Sequence, residues 1–195
     1  MIKRTKKTIK ESAFFLKNAI LKPKQVAYFF PSSSTLIHAI AKKSELSQHK
    51  HVVELGPGTG GTTKGILSEM NPDATLCSVE INKDFCNYIR KTIDDERLVV
   101  CHDAAQNLKQ IIIKQGWQHA DLVISGIPFT TLPKHIAQEI IESIYENIKP
   151  GGMFVAYQLR DRVGKLATPI FGESVNHWEF KNFPPMRIFI WKKEK

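Results

Sequence analysis

Ten residues constrain this chain more than any others: Val52-Val53-Glu54-Leu55-Gly56-Pro57-Gly58-Thr59-Gly60-Gly61. Apolar residues Val52, Val53 and Leu55 stop at a cluster of glycines. A helical pattern follows, with Ile66, Leu67 and Met70 on one face. The stretch reads as strand, tight turn, helix. Glycines let the turn adopt dihedrals closed to other residues and let a ligand approach the backbone, where the next helix offers unpaired N–H groups. The spacing Gly56-x-Gly58-x-Gly60 departs from the Gly-x-Gly-x-x-Gly pattern of pyrophosphate-binding turns, and Pro57 removes one donor. A plain strand-to-helix turn seldom needs three alternating glycines.

The rest of the chain alternates in the same way. Ala74–Glu80 reads as a second strand, ending in Glu80, where nucleoside-binding α/β folds use a carboxylate to accept hydrogen bonds from the ribose hydroxyls. Asn82 caps a helix with Phe85, Tyr88, Ile89 and Ile93 directed inward. Leu98–Cys101 is a third strand, closed by His102 and Asp103, and Ala104–Lys114 a helix. The fourth strand, Ala120–Ile124, opens into Ser125-Gly126-Ile127-Pro128-Phe129, a second special loop beside the glycine turn. A helix over His135–Ile148 stops at the turn Lys149-Pro150-Gly151-Gly152. Met153–Tyr157 is a fifth strand, residues 160–172 an irregular connection, and Val175–Phe180 with Arg187–Trp191 a late hairpin. Ser32-Ser33-Ser34 supplies the cap of a helix before the first strand. Alternating strands and helices predict an α/β fold with a mostly parallel sheet.

At 195 residues and 42% hydrophobic content the chain suits one core. No run of about 18 apolar residues predicts a membrane span. Cys77, Cys86 and Cys101 lack metal-ligand spacing, and the seven histidines are scattered, so no metal site is expected. Free cysteines and the absence of a secretory pattern point to the cytoplasm. The net charge of +9 is uneven: residues 1–30 carry eight lysines and arginines against Glu11 alone, leaving the remainder nearly neutral. Residues 2–21 read as a helix with Ile9, Ala13, Leu16 and Ile20 on one face, widened by Phe14 and Phe15 and flanked by lysines. Such a helix suits a membrane interface, or packing on the domain with its lysines solvated; Phe14 and Phe15 favour the membrane. The organisation expected is a basic arm over residues 1–24 and a single domain over residues 25–195.

Glu54-x-Gly56-x-Gly58-x-Gly60, with its strand before and helix after, resembles the first motif of the class I S-adenosylmethionine-dependent methyltransferases. That resemblance implies a Rossmann-like seven-stranded sheet with one antiparallel strand at the end, helices on both faces, and S-adenosylmethionine as cofactor. It implies a cofactor site at Glu54, Gly56, Pro57, Gly58, Thr59, Gly60, Glu80, Ile81, Asp103, Ala104 and Ser125. Within it, Glu54 and the turn hold the methionine end, Glu80 the ribose, and Asp103 the adenine amino group; Asp103 could equally cap the following helix.

The loop starting Ser125-Gly126-Ile127-Pro128 narrows the likeness to the small bacterial phospholipid N-methyltransferases, whose loop is similar to Ser-Gly-Leu-Pro. Pro31-Ser32-Ser33, Lys149–Gly152, Asn182-Phe183-Pro184-Pro185 and the basic N-terminus agree. The rRNA adenine dimethyltransferases are similar too, but their loop begins with Asn and they carry a helical RNA-binding domain after the last strand, where this sequence reaches Lys195. The activity implied is transfer of methyl groups to the headgroup amine of a phosphatidylethanolamine-type lipid, at the inner face of the membrane. Carbonyls of Ser125 and Gly126 would aim the amine, with Pro128 shaping the loop. Phe129 would stack on the nitrogen, Tyr157 or His102 would relay a proton, and Arg160 or Arg162 would meet a lipid phosphate. A nucleic-acid or small-molecule methylase, and a non-catalytic cofactor-binding or membrane-adaptor domain, are the competing classes.

Overall fold

A computed structural model describes residues 33–182 and 184–194. The expected N-terminal helix, Pro31-Ser32 and Phe183 lie outside the described residues.

Ser33 caps α1 (Ser34–Lys43), its hydroxyl accepting the Leu36 N–H at 3.2 Å. Then follow β1 (His51–Leu55), α2 (Gly61–Glu69), β2 (Thr75–Glu80), α3 (Lys83–Thr92), β3 (Leu98–His102), α4 (Leu108–Lys114) and β4 (Ala120–Ser125). The second half holds α5 (Lys134–Asn147), β5 (Ile148–Gln158), α6 (Arg162–Phe171), β6 (Val175–Glu179) and β7 (Met186–Lys192). Asn82 caps α3 as its sequence predicts, accepting the Asp84 N–H.

The seven strands form one sheet in the order β3-β2-β1-β4-β5-β7-β6. β1 to β5 pair in parallel, and β7 runs antiparallel to both β5 and β6. The last strand in sequence is therefore the reversed one and lies inside the sheet, with β6 at its edge. Leu36, Ile40, Ile66 and Leu67 of α1 and α2 pack on one face with Val52, Leu76, Leu122 and Val155. Leu108, Ile136, Ile140, Ile144 and Phe171 of α4 to α6 cover the other face with Val53, Val123 and Phe154. Strands buried on both faces explain why β1, β2 and β4 read as nearly unbroken apolar runs. Crossovers leave β1 and β4 toward opposite sides, which opens a crevice at their carboxyl ends.

Several elements differ from the sequence reading. Residues 162–171, expected to be irregular, form α6. Val163, Leu166, Ala167 and Phe171 fall at helical spacing and are buried, an apolar stripe strong enough to hold a helix through Gly164 and Pro169. The Lys149–Gly152 turn is absorbed into β5, where two steps along β4 (Ala120 to Leu122) match five along β5 (Ile148 to Met153), a bulge built on Gly151 at φ +77°. The helix expected from Ala104 begins as a 3-10 turn (Ala105–Asn107) before α4. Tyr88, expected inward, is 52% exposed on the outer face of α3. Cys77, Cys86 and Cys101 are free thiols.

At the amino end of the sheet Asp121 fastens β4 to β1. Its carboxylate accepts the Lys50 and His51 N–H groups at 2.8 and 2.9 Å and pairs with Lys149 at 2.7 Å.

Candidate active site

The glycine turn closes the carboxyl end of β1. Gly56, Gly58 and Gly60 stand at φ +72°, +57° and +83°, the left-handed region that favours glycine. Pro57 is buried beneath the turn and Thr59 is exposed on it. The Gly56 N–H donates to the Val79 carbonyl at 2.9 Å. The Gly58 N–H donates to Glu80 Oε2 at 3.1 Å, while Glu80 Oε1 accepts the Asn82 N–H at 2.8 Å. One carboxylate thus binds the turn to the end of β2. Burial pushes the Glu80 carboxyl above its ordinary range, and backbone N–H donors pull against that rise.

Beneath the turn lies Glu54, fully buried. Its Oε2 accepts the Thr63 and Ser78 hydroxyls, each at 2.7 Å, and its Oε1 has no hydrogen-bond partner. Burial drives its pKa up to about 7 against the pull of those hydroxyls.

A cleft with about 350 Å³ of empty space, its open mouth included, is lined by Gly56, Glu80, Ile81, Asp103, Gln106 and Ile127, with Ile136 and Ile140 behind. Asp103 reaches it from the end of β3. Its Oδ1 also accepts the Ala104 N–H at 2.8 Å and the Asn107 side chain at 2.7 Å, so Asp103 combines the lining and capping positions. Ala104 is buried behind it. Every residue expected at the nucleoside end is therefore on one wall or beside it.

On the other side of the turn, Ser125 is buried at the end of β4, its hydroxyl accepting the Ile127 N–H at 3.3 Å, and the Gly126 N–H donates to the Leu55 carbonyl at 2.9 Å. A Cβ at Gly126 would overlap the Tyr157 hydroxyl and approach the Gly56 carbonyl oxygen to 3.1 Å. Only glycine lets the glycine turn, this loop and Tyr157 meet. Tyr157 also lies 3.2 Å, oxygen to oxygen, from the Thr62 hydroxyl.

Three assignments need correction. Phe129 is fully buried within the core on the α4–α6 face, so its ring offers no open face to a substrate nitrogen. His102 bonds the Ile81 carbonyl at 3.1 Å on β3, three strands, or roughly 14 Å, from β4, too far to relay a proton at Ser125. Arg162 donates to the Thr130 and Leu132 carbonyls at 3.1 and 2.9 Å, so its guanidinium braces the loop. Gln158, which carried no sequence signal, is buried and donates to the Ile127 carbonyl. A polar residue ending a strand gives no hint of a partner 31 positions away.

An acid under a positive-φ glycine turn, a second acid on the next strand and an open cleft at the switch point define, with the family match, a class I S-adenosylmethionine-dependent methyltransferase. The residues fit that cofactor. The unpartnered Glu54 oxygen suits its ammonium group, the glycine turn admits its chain, and Glu80 and Asp103 suit ribose and adenine. The chain belongs to the ribosomal RNA adenine dimethylase family, whose model matches residues 23–165.

It is 28% identical to an ornithine lipid N-methyltransferase from Singulisphaera acidiphila over 87% of this chain and 90% of that protein. It is 24% identical to ribosomal RNA small subunit methyltransferase A from Malacoplasma penetrans over 77% of this chain, but spans only 52% of that relative. The fold is similar to N-methyltransferase NodS from Bradyrhizobium japonicum WM9, solved with S-adenosyl-L-homocysteine: TM-score 0.63, 12% identity, covering 83% of this chain and 88% of that one. Among the described residues no group of metal-ligating side chains could hold a metal ion, and no helix is long and apolar enough to cross a membrane.

Proposed function

We propose that the chain methylates the headgroup amine of a membrane phospholipid of the phosphatidylethanolamine type, with an ornithine-type lipid as the alternative acceptor. The observation that carries this reading is the likeness to a lipid N-methyltransferase along nearly the full length of both chains. The loop at Ser125 and the basic N-terminal arm agree with it.

The cofactor supplies an already activated methyl group, so the protein's work is alignment and control of protons. A lipid primary amine has a pKa near that of lysine, ~10, and is mostly protonated near pH 7. One N–H proton must pass to solvent before attack, since a protonated amine has no lone pair; the carbon–nitrogen bond then forms as the carbon–sulfur bond breaks and its electron pair stays on sulfur. In this reading the Ser125 and Gly126 carbonyls accept the remaining amine hydrogens and direct the lone pair, and Tyr157 offers a hydroxyl beside them. Gln158 and Arg162 keep the loop at its station. The eight basic residues of the N-terminal arm hold the enzyme at an anionic surface as a peripheral protein on the inner face; each contributes roughly 1 kcal/mol there.

The second reading, an rRNA adenine N-methyltransferase, is favoured by the family match itself and by the arm's affinity for phosphates. Incubation with methyl-labelled cofactor, anionic vesicles and total RNA, followed by organic extraction, separates them. Label in the lipid phase is the expected result; label confined to RNA overturns the lipid reading.

A further inference from the structure

Two apolar side chains stand exposed at the end of the outermost strand, Trp178 on β6 and Phe180 just past it. Trp178 is 45% and Phe180 74% exposed, their rings stacked with centroids 5.9 Å apart. Position in the sheet gives them meaning. β6 runs parallel to β5 because both are antiparallel to β7, and Trp178 pairs with Arg187, which pairs in turn with Gln158. The aromatic pair is therefore level with Gln158 and Tyr157, roughly 10 Å across two strand spacings, at the same carboxyl end as the cofactor turn. The adjoining rim carries Leu159, 37% exposed, and the exposed cations Arg160 and Lys181. Ser33 lies beside this rim: its N–H donates to the Asn182 side chain at 3.0 Å, two residues beyond Phe180. Eight of the nine charged residues in positions 1–30 are basic.

We propose that this rim, centred on Trp178 and Phe180, docks onto an anionic lipid bilayer and turns the mouth of the site toward it. Amphipathic aromatic rings with neighbouring cations have the chemistry of side chains that settle at the headgroup level. The chain's net charge of +9, with Arg160 and Lys181 exposed at the rim, supplies the charge complementarity. This rests on the lipid-acceptor reading and adds an apolar contact to the arm's electrostatic one.

The experiment uses the full chain, with phosphatidylethanolamine–phosphatidylglycerol vesicles whose acyl chains carry bromine, a contact quencher of tryptophan. Trp191 is fully buried, and Trp117 stacks on His51 at the amino end of β1, so Trp178 is the fluorophore placed to meet lipid. Wild-type emission should fall on binding, and Trp178→Phe should abolish that fall while binding persists. The double variant W178A/F180A should partition into vesicles about tenfold more weakly, from two aromatic side chains left in water. Quenching unchanged in W178F, absence of quenching in wild type because a second copy shields the strand, or partition of the double variant within twofold of wild type would overturn the proposal. Methyl transfer to the same vesicles scores the acceptor separately. Transfer without quenching defeats only the docking surface; quenching without transfer supports the surface and defeats the phosphatidylethanolamine acceptor.

Discussion

Asp121 and Glu54 are both buried acids, one at each end of the sheet, and their surroundings are opposite. Asp121, at the amino end, has two backbone donors and the Lys149 ammonium. Burial pushes its pKa up, but these partners hold it below the ordinary aspartate value. Glu54, at the carboxyl end, has two hydroxyl donors and one oxygen without a hydrogen-bond partner, and burial lifts its pKa to about 7. The first acid is completed by the fold. The second is left incomplete by the fold, and we propose that the ammonium group of the cofactor completes it.

Glu80 offers the sharpest way to break this contrast, because it is bound to the turn itself. Replacing it with Ala removes acceptors for the Gly58 and Asn82 N–H groups. At about 1.5–3 kcal/mol for each bond to a charged group, affinity for S-adenosylhomocysteine should fall at least a hundredfold by calorimetry. An unchanged affinity would show that the turn needs no second acid.

The next effect is on pH dependence. A folded pKa of about 7 against an ordinary 4.5 means that the unfolded chain gives up the Glu54 proton first. Stability therefore declines as pH rises from about 4.5 to about 7, by about 3 kcal/mol in all, and is level above that. Glu54→Gln removes the decline but leaves its amide N–H₂ unpartnered. It should be about 2 kcal/mol more stable than wild type at pH 8 and no more stable at pH 5, as denaturant titrations would reveal. Asp121 has the opposite sign: its contribution is present above the ordinary aspartate pKa and is lost as pH falls through its lowered value. Lys149→Met should cost only about 1 kcal/mol near neutrality, since the lysine is half exposed.

The geometry of the glycine-turn half of the candidate site follows from local chemistry. Three alternating glycines with an acid two residues earlier have few alternative uses, and Glu80 and Asp103 follow once the strands are counted. The acceptor half was harder to read because it depends on approach between distant segments. Gly126 matters through Tyr157, and the loop is fixed by Gln158 and Arg162, 30 or more residues from the carbonyls they hold. Phe129 looked like a recognition aromatic only because its neighbours are loop-forming residues; the core claimed it. Gly164 and Pro169 hid α6, whose apolar stripe prevails over both. The β5–β7–β6 order is a matter of topology that the hairpin pattern leaves open.

Calorimetry of S-adenosylhomocysteine binding at pH 7, repeated in buffers of different ionisation enthalpy, is the measurement closest to the account's centre. If Glu54 completes itself with the ligand's ammonium, binding lowers its pKa from about 7 and releases a sizeable fraction of a proton, and Glu54→Gln abolishes that release while weakening affinity about tenfold or more. Binding with no proton release, together with full affinity in the Gln variant, would contradict it.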